Sequence, residues 1–180
     1  MMPKYSNRHA ASAPGFTMIE IMVVFAVIGI LMGLAVPSVQ NWRRNYNVKS
    51  AVTDLYANMQ LARMGAIRTN RPWTMTFRSA SPAGYEVRDA DGKLSPTAPP
   101  VTLATRYHGN IVYGSPNSSG PIDNPTITFN PGGLANGADV FTAPGFVYLR
   151  GANTAVYYRV GIRLASSAAR IQRWDGSTWR

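Results

Sequence analysis

The sequence predicts an α+β fold: one long amino-terminal helix, transmembrane in its first half and amphipathic in its second, packed on an antiparallel β-sheet domain. Three observations carry this. From Phe16 to Val36 the chain is a predominantly apolar run whose only charge is Glu20. Val48, Val52, Leu55, Met59, Ala62 and Ala66 recur at spacings of four and three, a single stripe on a helix. After Pro72 the chain breaks into short alternating segments divided by Gly, Pro, Asn and Ser clusters. The expected organisation is a leader over 1–15, a transmembrane part of the helix over 16–39, its amphipathic half over 40–71, and a β domain over 72–180.

Composition bounds the chemistry. The 180 residues include no cysteine and carry a formal net charge of +10. Disulfides, thiolate metal sites and cysteine nucleophiles are therefore excluded. The positive balance points to anionic partners, nucleic acid or a membrane surface, and is silent about fold.

The apolar run would extend about 31 Å as a helix, close to the ~30 Å hydrocarbon core of a bilayer. Two simpler readings compete with a processed anchor. One is a secretory signal peptide cut after Gly33-Leu34-Ala35, and the other a plain transmembrane anchor. The long polar start and the acid at the mouth of the run count against the signal peptide. Lys4 and Arg8 precede the span and Arg43, Arg44 and Lys49 follow it, which leaves its orientation open. An ionisable group costs ~2.5–3.5 kcal/mol at the centre of a membrane helix and less near an end. Glu20 therefore needs a partner, and the span itself holds none. A positive charge created at the boundary, or borrowed from another chain, would supply one.

The stripe from Val48 to Ala66 is the face expected to pack on a globular domain. It ends after roughly two to three heptads, short for a coiled-coil seam. Pro37 lies inside the combined helix, removes a backbone donor and should kink or loosen it. The helix is expected to end near Thr69–Arg71, because Pro72 disfavours helical geometry in the preceding residue. Strands are expected over Trp73–Arg78, Gly84–Arg88, Val101–Tyr107, Ile111–Tyr113, Thr126–Asn130, Gly145–Arg150, Ala155–Leu164 and Ala168–Trp174. "TMTF" and "TITF" alternate as half-buried strands do. "SPNSSGPIDNP" and "NPGGLANG" are loops by composition.

Gly15-Phe16-Thr17, then Glu20, the apolar run and Pro37 resemble the processing motif of type IV pilins and pseudopilins. The segment "AVTDLYANMQLARMGAIRTNRPWTMTF" resembles the GspH/FimT branch of minor pilins and pseudopilins. Its "L…A…ARxxAI" pattern and basic turn fall on Leu55, Leu61-Ala62-Arg63, Ala66-Ile67 and Arg71-Pro72. The branch's "F-x-P-x-G" segment is matched by Phe129, Pro131 and Gly133, and the likeness runs from Gly15 to about Trp174. The resemblance implies a pilin-like fold, cleavage by prepilin peptidase between Gly15 and Phe16, and N-methylation of Phe16. It implies that Glu20 faces the amino terminus of a neighbouring subunit, with Pro37 also serving assembly. It further implies a single pass through the bacterial inner membrane and a periplasmic domain. The partners would be other pilins or pseudopilins of a type IV pilus or a type II secretion pseudopilus.

Signals for catalysis are poor, and no cofactor is expected. His9 lies in the leader and His108 stands without a ligand set. No Gly-rich phosphate loop precedes a helix. Asp89, Asp91 and Gly92 of "DADGK" lack the later ligands and closing Glu of a calcium loop. A tight Asp-Gly hairpin turn is the better reading. The expected role is assembly, not an enzyme activity.

The carboxy-terminal arginines raise a second possibility. Arg150, Arg159, Arg163, Arg170, Arg173 and Arg180 face only Asp175, with Tyr157, Tyr158, Trp174 and Trp179 interleaved. Arginine forks pair with phosphate and aromatic rings stack on bases, so DNA is a candidate partner. A solubilising surface, or attraction to anionic lipid, explains the same charges. Some FimT-type minor pilins bind DNA during uptake through a Gly-Arg-x-Arg segment near the carboxy terminus. The nearest match is Ala169-Arg170-Ile171-Gln172 followed by Arg173, with Ala169 replacing Gly and Gln172 replacing the second Arg. Arg170 and Arg173, three apart, share a strand face only across a bulge. Arg163 and Arg180 complete the candidate DNA-binding set.

Overall fold

Helix α1 runs from Met18 to Thr69. The computed structural model describes residues 15–107, 111–116, 120, 122–123, 125–136, 145–152, 154–162 and 169–180, without the side chains at 34–38 and 41. His9, His108, Arg163 and the leader before Gly15 lie outside the described residues. Two units, Met1–Gln40 and Asn41–Arg180, divide the chain and are described in turn.

In the first unit Thr17 caps the helix. Its Oγ1 accepts a hydrogen bond from the Glu20 amide at 3.3 Å, and its carbonyl accepts from the Ile21 amide at 3.3 Å. Glu20 is thus the third helical residue, where a carboxylate opposes the positive end of the helix dipole. α1 continues through Pro37, whose side chain is outside the described residues, and the expected kink with it. Among the described residues no helix is long and apolar enough to cross a membrane. The apolar stretch with described side chains, Met18 to Gly33, covers only about 24 Å at the helical rise.

In the second unit the stripe is buried as its spacing predicts. Val48, Val52, Leu55, Met59, Ala62 and Ala66 are fully covered, and Ala51 joins them. The helix ends in a Schellman motif. Asn70 takes φ +51°, its amide donates to Ile67 O at 3.3 Å, and the Arg71 amide donates to Ala66 O at 3.2 Å. Pro72 then leads into the sheet.

The remaining elements are β1 (Trp73–Arg78), β2 (Gly84–Arg88), β3 (Val101–Thr102), α2 (Leu103–Arg106), β4 (Ile111–Tyr113) and β5 (Thr126–Phe129). β6 (Ala135–Asn136), β7 (Gly145–Gly151), β8 (Tyr157–Ile162) and β9 (Ala169–Arg173) follow. The fold class is the expected one, but the β part forms two antiparallel sheets rather than one. Their strand orders are β3-β2-β1-β5-β6 and β4-β7-β8-β9. "TMTF" and "TITF" pair directly, with Met75 opposite Ile127 and Thr74 opposite Thr128. Met75, Phe77, Ile127 and Phe129 point into the core.

Two expectations need correction. The strand expected over Val101–Tyr107 stops at Thr102 and becomes the helical turn α2. Its buried anchors, Leu103 and Tyr107, are four apart, a spacing that shares one face in both a strand and a helix. The Tyr107 amide donates to Leu103 O at 3.0 Å, closing the turn. The loop expected over "NPGGLANG" contains β6, which pairs with β5 through Phe129–Ala135 and Thr128–Asn136.

Both family-like patterns meet at this β5–β6 turn. Arg63 Nε donates to Gly133 O at 3.0 Å, and Gly133 sits at φ +73°. A Cβ there would lie 2.8 Å from Ile67 Cδ1. Gly133→Ala is expected to destabilise the fold by about 1–3 kcal/mol, because the left-handed conformation penalises a side chain. Gly132, with open space around it, is the control: Gly132→Ala should change stability by under about 0.5 kcal/mol. Chemical denaturation of the two variants checks this, and equal losses would refute it.

Candidate assembly face and carboxy-terminal arginine surface

Gly15 and Phe16, expected to be processed, immediately precede α1; of the two residues expected to serve assembly, Glu20 lies in its first turn and Pro37 further along it. Gly15 has open space around it, and Phe16 is 82% exposed. Ile19, Met22, Phe25, Ile30 and Leu31 are likewise exposed, as are the other large apolar side chains from Met18 to Met32. A contiguous apolar surface of this kind marks a protein or membrane contact. Glu20 belongs to the same stretch, and its side chain has no partner among the described residues.

The arginines expected to bind DNA are distributed differently from their sequence grouping. β8 and β9 pair without a bulge, from Ile162 opposite Ala169 to Tyr158 opposite Arg173. Arg170 and Arg173 therefore emerge on opposite faces of the sheet. Arg180 Nε is 2.8 Å from Asp175 Oδ2, an exposed ion pair. Arg163 lies outside the described residues.

Arg159, which no motif singled out, is the best-positioned arginine. Its guanidinium carbon sits 4.0 Å from the centroid of Phe146 and 4.7 Å from that of Trp179, a cation between two rings. Its Nε donates to Gln172 Oε1 at 2.9 Å, a pairing set by the Arg159–Gln172 register. Tyr148 and Trp174 extend the ring cluster, at 5.6 and 5.2 Å from Trp179. Trp179 arrives there because the chain doubles back after β9. The amides of Arg173 and Arg180 each donate to the other's carbonyl, and Trp174 pairs with Trp179.

Asp175 closes that hairpin. Its Oδ1 accepts from the Ser177 amide at 2.9 Å and the Thr178 amide at 2.7 Å, while Gly176 takes φ +107°. The backbone N–H groups of Thr178 and Ser177 hold this carboxyl well below the usual carboxylate range, and the two hydroxyls add to the effect. "DGST" after β9 was the legible signal for this turn.

Other acids of the second unit are also engaged. Asp89 Oδ1 accepts from the Asp91 and Lys93 amides, and Arg71 grips Asp91 through two hydrogen bonds of 3.1 and 2.8 Å. With Gly92 at φ +74°, "DADGK" is a tight turn. Asp54 lines a cavity of about 440 Å³ with Asn58, Tyr85 and Arg106. It accepts the Tyr107 hydroxyl at 2.7 Å, and Asn58 donates to the Tyr85 hydroxyl at 3.0 Å. Burial pushes the Tyr85 phenol up to about 12. Burial, followed by the bond to Asp54, raises Tyr107. Both phenols thus stay protonated at neutral pH, Tyr107 donating to Asp54 and Tyr85 accepting from Asn58. Among the described residues no three His or acidic side chains cluster as a metal site would require.

An exposed apolar helical start, continued by a buried stripe that carries two antiparallel sheets, defines a pilin-class subunit. The chain belongs to the family Type II transport protein GspH, whose profile matches residues 51–169. The prokaryotic N-terminal methylation motif matches residues 12–36. A fimbrial protein of Pseudomonas aeruginosa is 44% identical over 43 residues, 24% of this chain and 28% of that protein. The type IV major pilin protein PilE1 of Neisseria gonorrhoeae is 41% identical over 54 residues, 24% of this chain and 33% of that protein. A fimbrial protein of Neisseria meningitidis serogroup B is 41% identical over 54 residues, with 24% and 32% covered. The match spans about a third or less of the length of these curated relatives. No solved structure matches.

The carboxy-terminal turn has a pH signature. Asp175 has a folded pKa below its unfolded value of about 3.9, so its contribution is complete above that value and disappears as pH falls through the lower folded one. Amide shifts of Ser177 and Thr178 are expected to stay native-like at pH values where a free aspartate is already protonated. A transition centred near 3.9 would contradict this assignment, and Asp175→Asn should abolish the acid transition.

Proposed function

We propose that the chain is a prepilin that matures into a minor pilin or pseudopilin subunit. Prepilin peptidase removes the leader after Gly15, and the new amino terminus on Phe16 is methylated. The apolar helix holds the subunit in the inner membrane, with the globular domain in the periplasm. The helix then passes into the core of a type IV pilus or a type II secretion pseudopilus. The observation that carries this reading is the coincidence of the methylation motif over 12–36 with an apolar helical surface that the described residues leave uncovered.

The mechanism is assembly. Glu20 attracts the Phe16 amine of an adjacent subunit, an attraction strengthened where water is excluded. A subunit out of register leaves the carboxylate buried and unpaired, which is costly, so register is selected. Glu20→Ala is expected to be processed normally but to enter filaments poorly. Mass spectrometry of the mature protein should find methylated Phe16 at the amino terminus, whereas a start near Val36 indicates an ordinary signal peptide. Normal incorporation of the Glu20 variant would sink the pairing role alone.

A second reading, DNA capture by the assembled subunit, is favoured by Arg170 and Arg173. Both are exposed, and neither guanidinium has a partner among the described residues. In gel-shift measurements with duplex DNA, this reading expects binding that weakens steeply with salt and is lost on joint Arg170→Gln and Arg173→Gln substitution. No shift at low salt removes it.

A further inference from the structure

Helix α1 leaves a second stripe uncovered. Trp42 and Tyr46 are 66% and 60% exposed, and their rings stack at 5.8 Å with planes 26° apart. They are four residues apart, and Lys49 is three further on, so the three share one face. That face is turned away from Val48, Val52 and Leu55, which fill the core. The neighbouring charges are all of one sign. Arg43, Arg44 and Lys49 form no ion pair among the described residues, and no acid occurs between Glu20 and Asp54.

These are the side chains that favour a lipid–water boundary. Trp and Tyr offer an apolar ring with a polar edge, and Arg and Lys lay apolar stems along lipid while their heads stay wet. Their place in the chain fits as well. Trp42 lies six residues beyond Val36, about 9 Å at the helical rise, comparable with a headgroup layer beside the ~30 Å hydrocarbon core.

We propose that Trp42, Tyr46, Arg43, Arg44 and Lys49 form an interfacial collar that binds the headgroups of anionic phospholipids. The collar fixes the depth at which the subunit waits in the bilayer before assembly. This rests on the membrane-anchored reading given above. Charge complementarity selects anionic lipid over a second copy of the chain, which would bring the same cations together.

The chain has no cysteine, so a single Asn45→Cys substitution carries a nitroxide label without background. The labelled full chain is reconstituted in phosphatidylcholine vesicles, and in an equal mixture of phosphatidylcholine and phosphatidylglycerol. Relative collision with oxygen and with a water-soluble nickel chelate reads the label's depth. In mixed vesicles the label is expected at headgroup level. It should shift toward water when phosphatidylglycerol is omitted, when Arg43, Arg44 and Lys49 become Gln, and when Trp42 and Tyr46 become Ala. None of the five side chains is buried, so the circular dichroism of the β domain should not change. A depth indifferent to headgroup charge and to these substitutions would overturn the collar but leave the anchor intact. Spin–spin broadening at position 45 would likewise overturn it by placing a second copy on the stripe. Failure to insert into either vesicle would overturn the membrane reading itself.

Discussion

Everything in the folded domain depends on the burial of one helical stripe. Val48 through Ala66 form a single core with residues of both sheets, among them Met75, Val87 and Ile127 of one and Val147, Leu149 and Val160 of the other. The fit is set by small residues at the points of closest approach. At Gly151 a side chain would meet Val48 Cγ2 and Thr154, at Gly65 it would meet the Trp73 ring, and at Gly133 it would meet Ile67 and Arg63. Each short strand gains its stability from contact with the helix and its neighbours rather than from its own length. The β domain therefore cannot be separated from the second half of the helix.

That dependence explains which parts of the fold were legible. The stripe has the 3.6-residue period, and "TMTF" and "TITF" have the two-residue period, so both announce the face they bury. The failures fall where periodicity is uninformative. Leu103 and Tyr107, four apart, fit either a strand or a turn of helix. β6 has only two residues, too few to show any period, and its pairing with β5 follows from the closed Asn130–Leu134 turn. The division into two sheets depends on long-range partners such as β1 with β5 and β4 with β7, which no local pattern encodes.

The candidate sites show the same split. The methylation motif over 12–36 is a fixed run of neighbouring residues, readable without a fold. The arginine surface is not, because register and turn geometry decide which cations remain available. Arg159 looked like one of six carboxy-terminal arginines, yet it is held between Phe146 and Trp179. Arg180 is tied to Asp175, and the regular β8–β9 register divides Arg170 from Arg173. Charge counted along a sequence overstates charge presented on one surface.

Asp54, Glu86, Asp89, Asp91, Asp123 and Asp175 each accept a hydrogen bond within the domain. Glu20 is different: Thr17 uses its backbone amide, while its carboxylate has no partner among the described residues. The helix dipole favours a negative charge at this position, but by about 0.3–1 kcal/mol at an exposed site. That is less than the ~2.5–3.5 kcal/mol a carboxylate costs at the centre of a bilayer, and an end position reduces the deficit without supplying a counter-charge. A single acid left unengaged in an apolar surface therefore points to a cation from outside the helix. In the proposed assembly mechanism, that cation is the amine released by cleavage after Gly15 in a neighbouring subunit.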